Sequence, residues 1–248
     1  PPNTELARVI RLSGGSDLAQ QCAKGLKCTV CAKSLPPKSP KPGKIKENIG
    51  QVNETVLGDL GYVRDVDGET HGFLILVDGG TDWCVSKYVG VGSNIKTAAL
   101  LYNHIEDGWI NWAGPPDTYV ADGEKGFSAE EFVTKLGRAG TYYQPSAGYA
   151  PWQKGKVERK IESFKAIMKK TVMHSGIKAS EMKIAGIESA TALNQRPGPS
   201  GVSPAMMLFG QRLKLYGELY ANGEPTTHPE GGDASTALGR RLQIRNIV

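Results

Sequence analysis

Residues 55–89 read TVLGDLGYVRDVDGETHGFLILVDGGTDWCVSKYV, three runs rich in β-branched, aromatic and aliphatic residues, separated by turn-forming clusters. The middle run, HGFLILVD at 71–78, is apolar without alternation, the pattern of a strand covered on both faces. Thr55–Val63 and Trp83–Val89 read as strands on either side of it, and Asp65–Gly68 and Asp78-Gly79-Gly80 supply the turns. Connections this short join antiparallel neighbours, so the stretch predicts a three-stranded meander.

Beyond the meander the periodicity changes. Ser93–His104 has helical spacing through Ile95, Ala98 and Leu101, and Asp117–Ala121 reads as a short strand ending at Asp122. A helix is expected from Ser128, as N-cap with Glu131 three residues on, through Leu136. Gly140–Tyr143 is a fifth strand candidate, and Gln144–Gly155, rich in Pro, Gly and Ser, reads as an exposed loop before a long helix over Lys156–Met173. A further helix is expected over Ala179–Leu193. Three antiparallel strands followed by alternating helices and strands predict an α/β domain, a mixed five-stranded sheet flanked by helices.

Before the meander, Leu6, Val9, Ile10 and Leu12 form a short helical pattern that breaks at Gly14-Gly15 and leads into a Cys-bearing stretch. Leu35–Gly50, LPPKSPKPGKIKENIG, reads as a linker, because its prolines deny backbone hydrogen bonds and its lysines repel one another. The division expected is therefore residues 1–34 as an N-terminal segment, 35–50 as a basic Pro-rich linker, 51–176 as the core and 177–215 as its C-terminal helical part. Residues 216–248, Gly-rich and polar with Arg240, Arg241 and Arg245, read as a loosely ordered tail.

At 248 residues with 39% apolar content the chain can bury one good core. No apolar run is long enough to cross a membrane and no leader pattern opens the chain, so a soluble, intracellular protein is expected. The formal charge of +5 is mild, but it is concentrated: Lys27, Lys33, Lys38, Lys41, Lys44 and Lys46 follow one another without an acid, and a second cluster runs from Lys154 to Lys170. Solvated surface and phosphate contacts both account for such runs. Four unevenly spaced cysteines (Cys22, Cys28, Cys31, Cys84) do not make a disulfide framework.

Three acids occupy places that one sheet can bring to one edge. Asp59 lies inside the first strand, Asp122 ends the fourth, and Glu158 opens the long helix after 35 intervening residues, 123 to 157. A carboxylate inside a covered sheet is costly unless paired or metal-bound. Chemistry on phosphodiesters uses such a cluster to hold two divalent ions about 4 Å apart. Asp65, Asp67 and Asp78 are explained by turn chemistry.

The segments around these acids, VLGDLGYV with HGFLILVDGGTDW, PPDTYVADGEKGF and YAPWQKGKVERKIESFKAIMK, resemble the catalytic core of retroviral and LTR-retrotransposon integrases. Pro151, Gly155, Val157, Glu158 and Arg159 match that family's Pro-x-x-x-Gly-x-Val-Glu-Arg arrangement, and PSGVSPAMMLFGQRL is similar to its Ser-Pro-x-x-x-x-Phe-Gly segment. Together they cover roughly residues 50–215. The sequence departs from the family after the second acid, where Asp122-Gly123-Glu124-Lys125-Gly126-Phe127 shifts the glycine and replaces the acid beside the phenylalanine. It departs again on the long helix, where Glu162 stands at one of two positions usually basic and Lys165 at the other.

The resemblance implies a ribonuclease-H-like fold and a polynucleotidyl transferase that processes the 3′ ends of element DNA and joins them to target DNA. It implies Mg²⁺ or Mn²⁺ on Asp59, Asp122 and Glu158, double-stranded DNA as partner, a homo-multimer, and action in the nucleus after a cytoplasmic particle stage. Gln153, Lys154, Lys156, Arg159 and Lys165 surround the expected site and are candidate phosphate contacts; Tyr149 and Trp152 would stack on bases or cover the loop. Cys28 and Cys31 have the spacing of half a tetrahedral Zn²⁺ site. The family's upstream histidines are missing, so the N-terminal segment reads as a truncated zinc-binding module, with Zn²⁺ expected in the full-length protein. A cut-and-paste transposase or ribonuclease H with the same metal chemistry, and a non-catalytic DNA-binding relic, are the competing classes.

Overall fold

A computed structural model describes residues 3–27, 29, 50–92, 97–122, 126–146, 151–198, 200–214, 218–221, 224–227 and 237–247. The meander forms as expected: β1 (Thr55–Arg64), β2 (Thr70–Asp78) and β3 (Cys84–Val91) pair antiparallel in sequence order. β4 (Thr118–Ala121) then adds parallel to the other edge of β1, and β5 (Tyr142–Pro145) adds parallel to β4. The sheet order is β3-β2-β1-β4-β5.

The unbroken apolar run of β2 is divided between two cores. Phe73, Ile75 and Val77 face one, completed by Val157, Ile161, Phe164 and Met168 of a long helix and by Met182, Ala185 and Ala190 of the next. Leu74 and Leu76 face the other, with Leu101, Ile105, Trp109, Tyr119, Phe127, Phe132 and Leu136. Each face is thus sealed by its own helices, which is why no polar residue alternates along this strand.

Following α1 (Asn3–Leu12) and α2 (Asp17–Gly25), the helices of the domain are α3 (Ala98–Ile105), α4 (Glu130–Ala139), α5 (Pro151–Ser175), α6 (Met182–Gln195) and α7 (Pro204–Phe209). Thr97 caps α3 by accepting from the Leu100 N–H at 3.4 Å, and the helix continues through a π turn at Glu106–Ile110 and a last turn at Asn111–Ala113. The π turn buries Trp109, whose indole N–H donates to Asn53 Oδ1 at 2.8 Å, while Asn53 Nδ2 donates to the Ala113 carbonyl at 3.0 Å. This clamp ties Asn53, two residues before β1, to the turns that extend α3.

Four boundaries differ from the expectation. Helix α3 begins at Ala98 with Thr97 as its N-cap, and not at Ser93. Helix α4 begins at Glu130 with Ala129 as N-cap and no side-chain cap, so Ser128 does not open it. Strand β5 lies two residues further on than expected. Helix α5 begins at Pro151, five residues before Lys156, because proline at a first helical position loses no hydrogen bond and brings its φ already set.

The stretch expected to be a loose tail contains a helix, α8 (Ala237–Ile247), besides a two-stranded hairpin of β6 (Glu218–Ala221) and β7 (Glu224–Thr227). Ile244 is fully buried in the α5–α6 core. Arg241 Nε and Arg245 Nη1 lie 2.6 and 3.1 Å from the buried Glu188 carboxylate on α6, and Arg240 Nε lies 2.6 Å from Glu181. The arginines that read as a solvated tail find acids more than fifty residues away, beyond the reach of local pattern.

At the outer edge, Asn194 of α6 stands in for a missing strand. Its Oδ1 accepts the Cys84 N–H at 2.8 Å and its Nδ2 donates to the Cys84 carbonyl at 2.7 Å. Cys84 is a buried core residue with its thiol pKa pushed up to about 11 by burial, then by Lys160 in the opposing sense.

Candidate active site

The site is built where parallel pairing stops. Strand β4 runs beside β1 from Thr55↔Thr118 to Gly58↔Ala121. One residue further along each strand stands an acid, Asp59 on β1 and Asp122 after β4. Beyond this point β1 keeps β2 as partner while β4 has ended. Carboxyl ends of neighbouring parallel strands, where the connections leave the sheet, are where open α/β sheets hold their ligands. Asp59 and Asp122 are both half-buried, and Asp59 Oδ1 accepts the Leu60 N–H at 2.7 Å.

Helix α5 crosses this end of β1. Its buried stripe, Val157, Ile161, Phe164 and Met168, seats it on the sheet and leaves Glu158, one residue along from Val157, exposed. Gly61 permits the approach: a Cβ there would lie 3.3 Å from Lys165 Cε and 3.6 Å from Ile161 Cγ2. Asp59 and Gly61 share a face of β1, so the stem of Lys165 passes over the strand two residues beyond Asp59.

No protein-family model and no curated protein matches the sequence. Solved structures do match the fold. The HTLV-2 integrase catalytic core domain in complex with magnesium matches in its trimeric form with TM-score 0.50 and 16% identity, over 62% of this chain and 95% of that one. Its dimeric form matches with TM-score 0.51 and 15% identity, over 65% and 99%. The simian T-cell lymphotropic virus intasome in complex with PP2A regulatory subunit B56 gamma matches with TM-score 0.56 and 15% identity, over 92% of this chain and 80% of that one. This chain has the fold of a retroviral integrase catalytic core.

Within this integrase-core fold the expected site residues fall into three groups. Asp59, Asp122 and the helix bearing Glu158 and Lys165 come to one end of the sheet. Arg159 is exposed and its Nε donates to the Gly155 carbonyl at 2.8 Å, folding back along its own helix. Gln153, Lys154 and Lys156 lie in the first turns of α5, with their side chains outside the described residues, as are Cys28 and Cys31.

A second group of acids is more tightly gathered. Among the described residues, Asp65, Glu69 and His71 are the one trio of His, Cys, Asp or Glu whose ligand atoms all lie within 4.8 Å of one another, close enough that they could hold a metal. Their present hydrogen bonds already account for that closeness. Asp65 Oδ1 accepts the N–H groups of Asp67 and Glu69 at 3.0 and 2.8 Å, its Oδ2 lies 3.0 Å from His71 Nε2, and His71 Nδ1 lies 2.9 Å from the Tyr88 hydroxyl. Burial pushes the Asp65 carboxyl up, but the bonds from His71 and the Glu69 N–H outweigh it and hold its pKa below the ordinary value. This is the turn chemistry expected of Asp65, and it leaves His71 satisfied within its strand. Asp78 behaves likewise, accepting from the Asn53 N–H at 2.9 Å and from the Thr81 N–H and hydroxyl at 2.7 Å each.

Sequence reasoning passed over two tyrosines. Tyr119 of β4 and Tyr143 of β5 are register partners, so they stand side by side on the face opposite α5. Tyr119 is wholly buried, its ring leans over Gly58, and its hydroxyl occupies the space that a Cβ of Gly58 would fill. The signal available in the sequence was that glycine, directly before Asp59.

Proposed function

We propose that this chain is the catalytic region of a DNA integrase of an LTR retroelement, which processes the 3′ ends of element DNA and transfers them to target DNA. The observation that carries the reading is the place where β4 ends beside the middle of β1, which sets Asp59 and Asp122 on neighbouring parallel strands beneath the helix that bears Glu158. The integrase-core fold supports it.

The donor set fits a hard divalent cation, because three carboxylates offer oxygen alone. In this reading Asp59, Asp122 and Glu158 would hold the Mg²⁺ or Mn²⁺ ions. Such ions supply charge that activates an attacking oxygen and stabilises the leaving one. Lys165, held over Gly61, and Arg159, Lys156, Lys154 and Gln153 on the same helix grip phosphates of the DNA and set its register. Attack of water on a phosphodiester near the element's end frees a 3′ hydroxyl. That hydroxyl then attacks a target phosphodiester, each step forming one P–O bond and breaking another.

The integrases of like fold include trimeric and dimeric forms and an intasome, and we propose a homo-multimer acting on paired DNA ends in the nucleus. Cys28 and Cys31 are proposed as half of a Zn²⁺ site. The deciding experiment is joining of a branched DNA substrate with Mg²⁺ or Mn²⁺, the reverse of strand transfer. Joining that disappears in Asp122→Asn supports the integrase. DNA binding without joining points to a relic, and cleavage of RNA–DNA hybrids to a nuclease.

A further inference from the structure

Strand β1 has glycines at 58 and 61, and each leaves a space that one side chain takes. Gly58 admits the Tyr119 hydroxyl, whereas Gly61 lies beneath α5. Glycine inside a strand weakens it, and marks a bulge, a tight bend or a close approach. Neither of the first two applies to Gly61. It pairs with Phe73 of β2 within an unbroken register from Val56 to Arg64, and its φ is not in the left-handed region that favours glycine.

The close approach is to one side chain. Of the three atoms nearest a Cβ at 61, the Phe73 carbonyl oxygen at 3.9 Å and Ile161 Cγ2 at 3.6 Å stand at ordinary contact distance. Lys165 Cε, at 3.3 Å, is too near. The packing of α5 on β1 would therefore accept alanine here, but the lysine stem could not keep its course. Lys165 is half-buried along that course and, among the described residues, no acid pairs with its ammonium. Holding a lysine stem in one place costs rotamer freedom, and no ion pair within the fold offsets it. Asp59 stands on the same face of β1 two residues back, a separation of about 7 Å, so the stem ends beside the proposed acid site.

We propose that Gly61 is a positioning residue: its missing side chain lays the Lys165 stem across β1 and so holds the ammonium where it meets a phosphate of the DNA strand that the acid site attacks. A side chain at 61 lifts the stem off the strand and moves the ammonium away from that phosphate. The inference rests on the proposed DNA site. It assigns to residue 61, rather than to α5, control over where this cation stands.

The test is binding of a branched DNA to the whole chain, by fluorescence anisotropy over a salt series, beside joining of the same DNA with Mn²⁺ and thermal unfolding. Lys165→Ala should raise the Kd about tenfold, the size of one charge-assisted contact, and lower the slope of log Kd against log salt by about one. Gly61→Val should match it in both. The Gly61→Val/Lys165→Ala double variant should bind no more weakly than either single one, because the cation is lost only once. The Mn²⁺ concentration giving half-maximal joining should stay at its original value in Gly61→Val, since α5 and Glu158 keep their places. Gly61→Ala should raise the Kd by less, with an unfolding temperature level or higher because alanine suits a strand better than glycine; it decides the question if valine impairs folding. Unchanged Kd and salt slope in both residue-61 variants would overturn the inference and leave the DNA site standing. So would effects that multiply in the double variant, or a raised Mn²⁺ requirement in Gly61→Val, since a displaced helix would then be the cause. DNA binding indifferent to Lys165→Ala would overturn the proposed role of Lys165 and the inference together.

Discussion

Strand β1 carries one aspartate at its middle and another just beyond its end, and the two live in opposite circumstances. Asp65 is buried, and the N–H groups of Asp67 and Glu69 and the ring of His71 converge on it. Asp59, six residues earlier, is half-buried at the place where β1 loses β4. An acid enclosed by local donors is a fold element, since its charge is consumed in closing a hairpin. An acid set at the mouth between parallel strands contributes little to that closure and faces the route by which a ligand arrives. Of the two, the more tightly gathered cluster is the one the fold itself explains.

That contrast can be broken in several places. The largest effect expected is on chemistry: Asp59→Asn should lower joining of branched DNA roughly a thousandfold or more, with the urea unfolding midpoint little changed. Asp65→Ala should do the reverse, costing about 3 kcal/mol of unfolding free energy in urea titration, because two backbone donors and His71 lose a charged acceptor, while joining per folded molecule is retained. An Asp65→Ala chain that folds normally but cannot join DNA would reverse the assignment of the two acids. Next, Gly58→Ala should cost about 2 kcal/mol by urea titration, since its Cβ meets the Tyr119 hydroxyl and the ring cannot move within a filled core.

A pH series sharpens the comparison further. The Asp65 pKa is held below the ordinary carboxylate value, so its contribution to stability is complete above about pH 4 and is lost as pH falls through the lower folded value. Replacing it in Asp65→Asn should flatten the acid limb of the urea midpoint measured from about pH 5 down to pH 2. The smallest change is expected from Glu69→Gln. Glu69 is half-exposed and 3.9 Å from His71, so less than about 0.5 kcal/mol should be lost.

Much of this architecture was legible in the residues, and the reasons are local. The unbroken apolar run at 71–78 announced a strand covered on both faces, and both cores were found. The long helix expected over Lys156–Met173 formed, with Val157, Ile161, Phe164 and Met168 as its buried face. Misplaced ends had local causes too: Pro151 read as part of a loop because proline marks loops and first helical turns alike, and Ser128 fits a capping pattern although the N-cap is the next residue, Ala129. The docking of α8 was hidden for a different reason, since Arg240, Arg241 and Arg245 acquire meaning from Glu181 and Glu188.

By itself the sequence determined the order of elements, the two-sided burial of β2 and the identity of the acids worth watching, because spacing and turn chemistry act over a few residues. Tertiary structure decided which acids serve the fold and which stand at its open end. Asp59 and Asp65 look alike in the chain; the difference arises because β4 stops at Ala121, whereas His71 folds back across a hairpin to meet Asp65. Tyr119 over Gly58 is likewise a contact between strands sixty residues apart, set by the register of a parallel pair, which no pattern within either strand encodes.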